Sequence, residues 1–194
     1  MKLSEKKVLK KKEEILMSAV KIVNNKGYQG ATMEEIAAAL LMTKGSLYYY
    51  FKNKEDLIFQ CHALVLSKAN KELLAHLEEP ISFEERLRKM IKTHIHYAIE
   101  KKESFNMIIK PKETFSSEQL HPILQQRKIY AGYFDQIIQG GVDAKEFVNV
   151  DLKIVRMILL GSMNWIQQWY MPAGGKSKVE IQEIYADYLL KLLK

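Results

Sequence analysis

The chain has 194 residues, 47% of them hydrophobic and 27% charged, with a net charge of +7, enough for one or two domains with a core of their own. No run of about 18 apolar residues offers a membrane span, and the basic start of the chain lacks the apolar segment of a secretory signal. The single cysteine, Cys61, excludes an internal disulfide, so a cytoplasmic protein in a reducing compartment is expected, with Cys61 as a small buried residue.

The charge is unevenly placed. Residues 1–54 hold eleven lysines against five carboxylates, net +6, and the remaining residues are net +1. Such asymmetry points to one end that faces nucleic acid and a neutral far end.

In chain order, the first expected helix spans residues 5–26. Ile15, Leu16, Ala19, Val20 and Val23 form its buried stripe, and Gly27 suits its C-terminal cap. Its lysine-rich start either frays or lies along a polyanion. A second, short helix spans residues 33–40, with Thr32 as its cap and Met33, Ile36, Ala37 and Leu40 on one stripe. Thr43 caps a third over residues 44–51. Asn53 caps a fourth from residue 54 to about 77, whose first turn holds Glu55 and Asp56, where acids suit the helix dipole.

The third helix is unusual. Leu47 and Phe51, one turn apart, face inward, and Gly45, Ser46 and Tyr49 then point outward with Tyr48 and Tyr50 on the flanks. An ordinary solvent face would be rich in glutamate and lysine. This one offers lysine, glycine, hydroxyl and phenol with no carboxylate between Lys44 and Lys54, a makeup that suits a helix laid against DNA. A three-helix core segment with a polar face is the plain alternative.

Gly27-Tyr28, Thr32, Ile36-Ala37, then Thr43-Lys44-Gly45-Ser46-Leu47-Tyr48, Phe51 and Lys54-Glu55 follow one another without a gap. Residues 27–57 thereby resemble the DNA-binding signature of the TetR family of bacterial transcriptional regulators. One departure is Leu40-Leu41, where the family usually has Ala-Gly with the glycine at positive φ. Leu41 either bears that strain, about 1 kcal/mol or more, or the turn is rebuilt. Tyr48, Tyr50 and Lys54 are expected on phosphates, assisted by Thr32 and Thr43 at helix N-termini, while Lys44, Gly45, Ser46 and Tyr49 meet base edges.

Beyond residue 77 the pattern stays helical. Ser82 with Glu85 makes a capping box that opens a helix to about residue 102. A short helix or turn at 104–110 is closed by Pro111, and a polar loop follows to about residue 119. His121-Pro122 opens a helix that Gly140-Gly141 is expected to halt near residue 139. Residues 151–171 form a helix apolar or uncharged on almost every face, stopped by Pro172, and Ser177 with Glu180 opens the last. With no strand alternation the fold class is all-α, about nine helices: a three-helix helix-turn-helix head (residues 1–53) on a larger helical body (residues 54–194) for ligand binding and dimerisation, as the family resemblance also implies.

A helix apolar all round needs burial on all sides, so a partner surface is expected. Ile158, Gly161 and Trp165, with Ile181, Ile184, Tyr185 and Tyr188 of the last helix, are the candidate homodimer interface. Those last-helix residues share a face opposite Glu183, Asp187 and Lys191. Met90, His94, Tyr97, Phe105, Tyr130, Phe134, Met157, Trp165 and Trp169 are the candidate pocket, large and adaptable as in sites for apolar ligands. Basic residues outnumber buried acids there, which favours a hydrophobic neutral or anionic effector. Residues 169–190 also resemble the C-termini of TetR proteins that sense fatty-acyl derivatives.

No metal site or cofactor is expected. His94 and His96, two apart on a helix, diverge by about 200°, and His62 and His76 lie too far apart to share an ion. No nucleophile elbow, phosphate loop or carboxylate pair marks an enzyme. The expected function is a ligand-responsive regulator, most simply a repressor that binds a palindromic double-stranded operator as a dimer. The alternatives are a helical enzyme or small-molecule carrier with an incidental basic head, and a DNA-binding activator without a ligand.

Overall fold

A computed structural model describes residues 3–102, 105 and 115–194. Of the turn expected at 104–110 only Phe105 is described; the proline closing it and the loop to residue 114 lie outside the described residues, as does the side chain of Tyr28. Among those described, the chain is eight α-helices and a closing 3₁₀ turn: α1 (Leu3–Gly30), α2 (Met33–Ala39), α3 (Lys44–Tyr48), α4 (Lys54–Leu77), α5 (Phe83–Glu100), α6 (Ser117–Asp143), α7 (Leu152–Trp169), α8 (Lys178–Leu190) and the turn Lys191–Leu193. The all-α expectation holds.

Two compact units form. One holds Met1–Val65 with Glu103–Ile123, the other Leu66–Lys102 with Leu124–Lys194. The contacts thus divide the chain differently from the expected functional boundary at residue 53, because α4 and α6 each contribute to both units. In the first unit, the α1 stripe Ile15, Leu16, Ala19, Val20 and Val23 is buried, as are Met33, Ile36, Ala37, Leu47, Phe51, Leu57 and Ile58. The second has a core of Leu73, Leu87, Met90, Ile91, Ile95, Phe134, Ile137, Ile138, Leu159, Met163 and Ile166, joined by Ile181, Ala186, Leu189 and Leu190 of α8.

The caps were legible. Thr32 and Glu35, Ser82 and Glu85, and Ser177 and Glu180 each form a reciprocal capping box, satisfying helix-end N–H groups that would otherwise have no acceptor. Asn53 Oδ1 accepts from Asp56 N at 2.8 Å at the start of α4. Gly27, at φ 74° and ψ 169°, kinks α1 where a cap was expected, and the helical turns resume to Gly30.

Two expectations are corrected. The helix expected to start at His121-Pro122 begins at Ser117 and carries Pro122 inside it. Its first turn is supplied by Ser116, whose Oγ accepts from Gln119 N at 3.4 Å while Gln119 Oε1 accepts from Ser116 N at 3.3 Å. The same helix runs through Gly140 and Gly141 rather than stopping at them. A Cβ on Gly140 would lie 2.3 Å from the Phe83 ring, and one on Gly141 2.1 Å from the Phe147 ring. These glycines admit aromatic rings against the helix backbone; they do not end it. The end comes at Lys145, φ 61°, where Lys145 N donates to Val142 O and Glu146 N to Gly141 O, the bond pair of a Schellman motif.

The single chain buries one face of α7 and part of α8. In this single chain α7 is two-sided: Val155, Leu159, Met163, Ile166 and Gln167 are buried, while Ile154, Met157, Ile158, Gly161 and Trp165 form an outward stripe. On α8, Ile181 is in the core with Ala186, Leu189 and Leu190, Ile184 and Tyr185 are half-buried, and Tyr188 is exposed. Its supposed polar side is tied down: Arg88 pairs with Asp187 at 2.7 Å and Lys92 with Glu183 at 2.5 Å.

Candidate DNA interface and effector body

The turn between α2 and α3 keeps the geometry that a glycine would ease. Leu41 sits at φ 54° and is 97% exposed. Leu41 N donates to Ala38 O at 3.0 Å and Met42 N to Ala37 O at 2.9 Å, so the carbonyls ending α2 are satisfied. Of the two outcomes left open by the sequence, the strain is borne and the turn is not rebuilt.

That turn delivers Thr43 as the cap of α3. Thr43 Oγ1 accepts from Ser46 N at 3.1 Å and lies 2.8 Å from Ser46 Oγ. Leu47 and Phe51 are buried beneath the helix; Lys44, Gly45, Ser46, Tyr48 and Tyr49 are exposed and Tyr50 is half-buried. Tyr49 is 74% exposed and meets the edge of the Tyr50 ring with centroids 5.0 Å apart. A Cβ on Gly45 would meet only Thr43 Oγ1, at 4.0 Å. Nothing inside the protein therefore requires a glycine there, although glycine costs a helix interior about 0.5–1 kcal/mol relative to alanine. The natural reading is close approach by something outside.

Lys44 carries a contact that the local pattern did not reveal. Its ammonium pairs with Glu34 of α2, and lies 5.8 Å from the centroid of the Tyr48 ring. The hydrogen bond from Lys44 holds the Glu34 carboxyl below its usual range and the lysine above its own. Lys26 similarly holds Glu35 at 2.5 Å, and the carboxyl of Glu35 is lowered mainly by that bond. Partners ten and nine residues apart on separate helices fall outside any helical spacing rule. Lys54 is half-buried at the start of α4. The lysines opening α1 are exposed at positions 6, 7 and 10, while Lys12 lies 5.5 Å from the Phe51 ring centroid.

In the body, the structure gathers part of the expected pocket. His94, fully enclosed, has Nδ1 3.0 Å from Tyr130 Oη and Nε2 3.1 Å from Asn164 Oδ1. Asn164 Oδ1 can only accept, so Nε2 carries the proton and Nδ1 accepts from the tyrosine. Burial lowers the His94 pKa to about 4, which keeps the ring neutral. Phe134 packs edge-on to His94 and beside Tyr130. Tyr97 Oη donates to Glu72 Oε1 at 2.8 Å, and burial pushes both phenols up. Met90 is part of the same core.

Four expected pocket residues are not with them. Phe105 belongs to the first unit. Met157 and Trp165 stand on the outward stripe of α7, Trp165 being 66% exposed. Trp169 is exposed and stacks on Tyr185 with centroids 6.3 Å apart and planes 20° apart. Hydrophobicity alone could not say which side of an all-apolar helix faces in. Asn164 and Gln167 were missed, although two amides three apart in so apolar a helix are a visible signal.

Cys61 is buried, its thiol near Leu16 O at 3.6 Å, and burial raises its pKa to about 12, so it stays a protonated packing residue. Among the described residues no group of three or more His, Cys, Asp or Glu side chains could hold a metal, and no helix is long and apolar enough to cross a membrane.

Comparison with known proteins gives two family matches. Residues 15–61 match the model for bacterial regulatory proteins of the tetR family, and residues 80–193 the model for the tetracyclin repressor-like C-terminal domain. The fatty acid metabolism regulator protein of Bacillus subtilis (strain 168) is 23% identical over 163 residues, covering 81% of this chain and 82% of that one. A TetR/AcrR-family transcriptional regulator from Thermobifida fusca superposes with a TM-score of 0.80 at 25% identity, over 93% of this chain and 97% of the other. AibR, solved in complex with isovaleryl coenzyme A and operator DNA, gives 0.75 at 26% identity, over 94% and 97%.

Proposed function

Because the chain belongs to the TetR family of DNA-binding bacterial regulators, we propose that it is a cytoplasmic, dimeric repressor, released from a palindromic operator by a fatty-acyl thioester, and that it has no enzymatic activity. The observation that carries the DNA half is Gly45: an outward glycine on a capped helix, where a Cβ would meet only Thr43 Oγ1 at 4.0 Å. It lets the α3 backbone approach base edges, with Lys44, Ser46 and Tyr49 as readers. Tyr48, Tyr50 and Lys54 hold phosphates, and the N-termini capped by Thr32 and Thr43 add backbone donors.

Dimerisation uses the outward stripe of α7, Ile154, Met157, Ile158, Gly161 and Trp165, together with the exposed Tyr188 of α8. Five apolar positions on one face of one helix exceed what scattered surface residues explain. Two-fold symmetry then presents two α3 helices to half-sites about 34–36 Å apart, one turn of B-DNA, or a multiple of it.

The effector class is supported by two relatives. One is named as a regulator of fatty acid metabolism and the other was solved with a coenzyme A thioester and DNA together. The receiving region is the His94, Tyr130 and Phe134 cluster with Met90 and Tyr97. Because α4 and α6 belong to both compact units, a ligand that favours one packing of the body acts on helices that the head also uses. A hundredfold release needs about 2.7 kcal/mol of coupling, and operator must weaken effector binding by the same factor.

The test selects bound duplexes from random DNA and then titrates effector with and without saturating operator. Steep salt dependence, a palindromic site and a weaker effector affinity in the presence of operator are expected. Failure to retain any duplex at low salt would leave the carrier alternative in place.

A further inference from the structure

The hydrogen bonds of the body run neutral and complete from Tyr130 through His94 to Asn164. One turn farther along α7 the pattern breaks. Gln167 is 2% exposed, and neither its Nε2 nor its Oε1 has a hydrogen-bond partner among the described residues. A buried carboxamide in that state costs free energy that a leucine or methionine of similar size would avoid. Spaced three apart, Asn164 and Gln167 share a face of α7, and Met163 and Ile166 beside them belong to the apolar core. The amide therefore stands at a boundary between a polar relay and an apolar interior.

Charge narrows what could meet it. Arg88, Lys92, Arg156 and Lys178 are each already paired, with Asp187, Glu183, Asp135 and Glu100 in turn, and His94 is held neutral. None of these four is spare for a carboxylate carried inside; Arg127 of α6, half-buried and held below its ordinary range by desolvation, is not among them, and the free-acid probe below tests it. A carboxamide offers one donor group and one acceptor, the complement of a neutral group that offers both.

We propose that Gln167 is the polar anchor of the effector site, its Nε2 donating to a carbonyl oxygen and its Oε1 accepting an amide N–H of the pantetheine-like arm of an acyl thioester, so that the thioester and not the free fatty acid is recognised. This rests on the thioester reading above and adds the residue and the chemical group to it.

The experiment uses the full chain and three probes: decanoyl coenzyme A, S-decanoyl-N-acetylcysteamine, which keeps thioester and amide but no phosphate, and decanoic acid. Wild-type protein is expected to bind both thioesters and to bind the acid much more weakly. Gln167→Met should melt at a higher temperature than wild type when free of ligand, yet bind S-decanoyl-N-acetylcysteamine roughly tenfold more weakly. Equal affinity of the variant and wild type for that probe overturns the anchor while leaving the effector class standing. Binding of neither thioester by wild type overturns the effector class and the anchor with it, and acid bound as tightly as thioester overturns the choice of a neutral group. A readout on wild type alone guards against a variant that does not fold: the N-methylated amide of the cysteamine probe lacks the N–H and should bind roughly fivefold more weakly or worse, and equal binding refutes the role of Oε1.

Discussion

The outward faces of α3 and α7 share more than their surroundings suggest. Each exposes aromatic side chains, Tyr48 and Tyr49 on one and Trp165 on the other, and each holds a glycine whose missing Cβ would meet little or nothing within 4 Å. Both glycines contrast with Gly140 and Gly141, which are filled from inside by phenylalanine rings. What separates the two faces is the company of the glycine. Around Gly45 stand Lys44, Thr43 and Ser46, donors for a polyanion; around Gly161 stand Ile154, Met157, Ile158 and Trp165, with little but apolar surface to offer. Gly132 of α6 has as much open space, so the glycine alone does not mark a contact; the side chains around Gly45 and Gly161 are what set these two faces apart.

The largest effect should come from spoiling the α7 face. Gly161→Glu places a charge at the centre of the apolar stripe, where a partner would have to bury it. The variant is expected to sediment as a monomer and to lose operator affinity by roughly a hundredfold or more, since a single head forfeits the second half-site. An intact dimer would assign the α7 stripe to some other partner and break the comparison at once.

A change in the sealed interior should leave both faces alone. His94 has its pKa lowered from 6.5 to about 4, so the unfolded chain takes up a proton in that window that the folded protein refuses. Stability is then lost as pH falls from about 6.5 to about 4, by up to about 3 kcal/mol. Unfolding free energies from urea titrations of wild type at pH 7 and pH 4.5 should differ by about 2–3 kcal/mol more than those of His94→Gln. At pH 7 the variant should keep dimer state and operator preference, although it loses stability with the hydrogen bonds of the ring. Parallel pH profiles would mean that His94 is solvated.

On the α3 face, Gly45→Ala should separate stability from function. The added methyl has room in the free protein and should stabilise it by about 0.5–1 kcal/mol, while operator affinity falls roughly tenfold as the helix is held off the bases. Thermal melts with fluorescence anisotropy on one preparation supply both readings. Affinity unchanged in the stabilised variant would make Gly45 an accident of sequence and undo the likeness to Gly161.

Legibility in the sequence followed the range of the interactions. The caps at Thr32, Thr43, Asn53, Ser82 and Ser177 bond across three residues, and the stripes of α1 and α2 repeat within a turn or two, so both could be read locally. Gly140 and Gly141 could not, because the residues that require glycine, Phe83 and Phe147, pack onto them through the fold. The same holds for α7, whose apolar residues gave no direction until the core took Met163 and Ile166 and left Met157 and Trp165 outside. His94 was on the candidate list, but its partners, 36 and 70 residues away, were not all there. A pocket is a long-range object, and composition names its residues only in part.

The smallest expected effect tests whether the α3 face is ready for DNA in the free protein. Glu34 of α2 holds Lys44, a residue assigned to base edges, so binding must first exchange that carboxylate for the operator. The pair is exposed, with side chains 55% and 58% accessible, and such pairs are weak. Glu34→Gln should therefore raise operator affinity by only roughly two- to threefold. Removing a negative charge near DNA would raise affinity even without the ion pair, so the single variant does not separate the two causes. A double-mutant cycle does. In a Lys44→Ala background the same Glu34→Gln change should keep only the general charge effect, and the gain should shrink towards unity with rising salt. An undiminished gain in that background would show that Glu34 acts on DNA through its charge alone, and that Lys44 is as free to read bases as its exposure suggests.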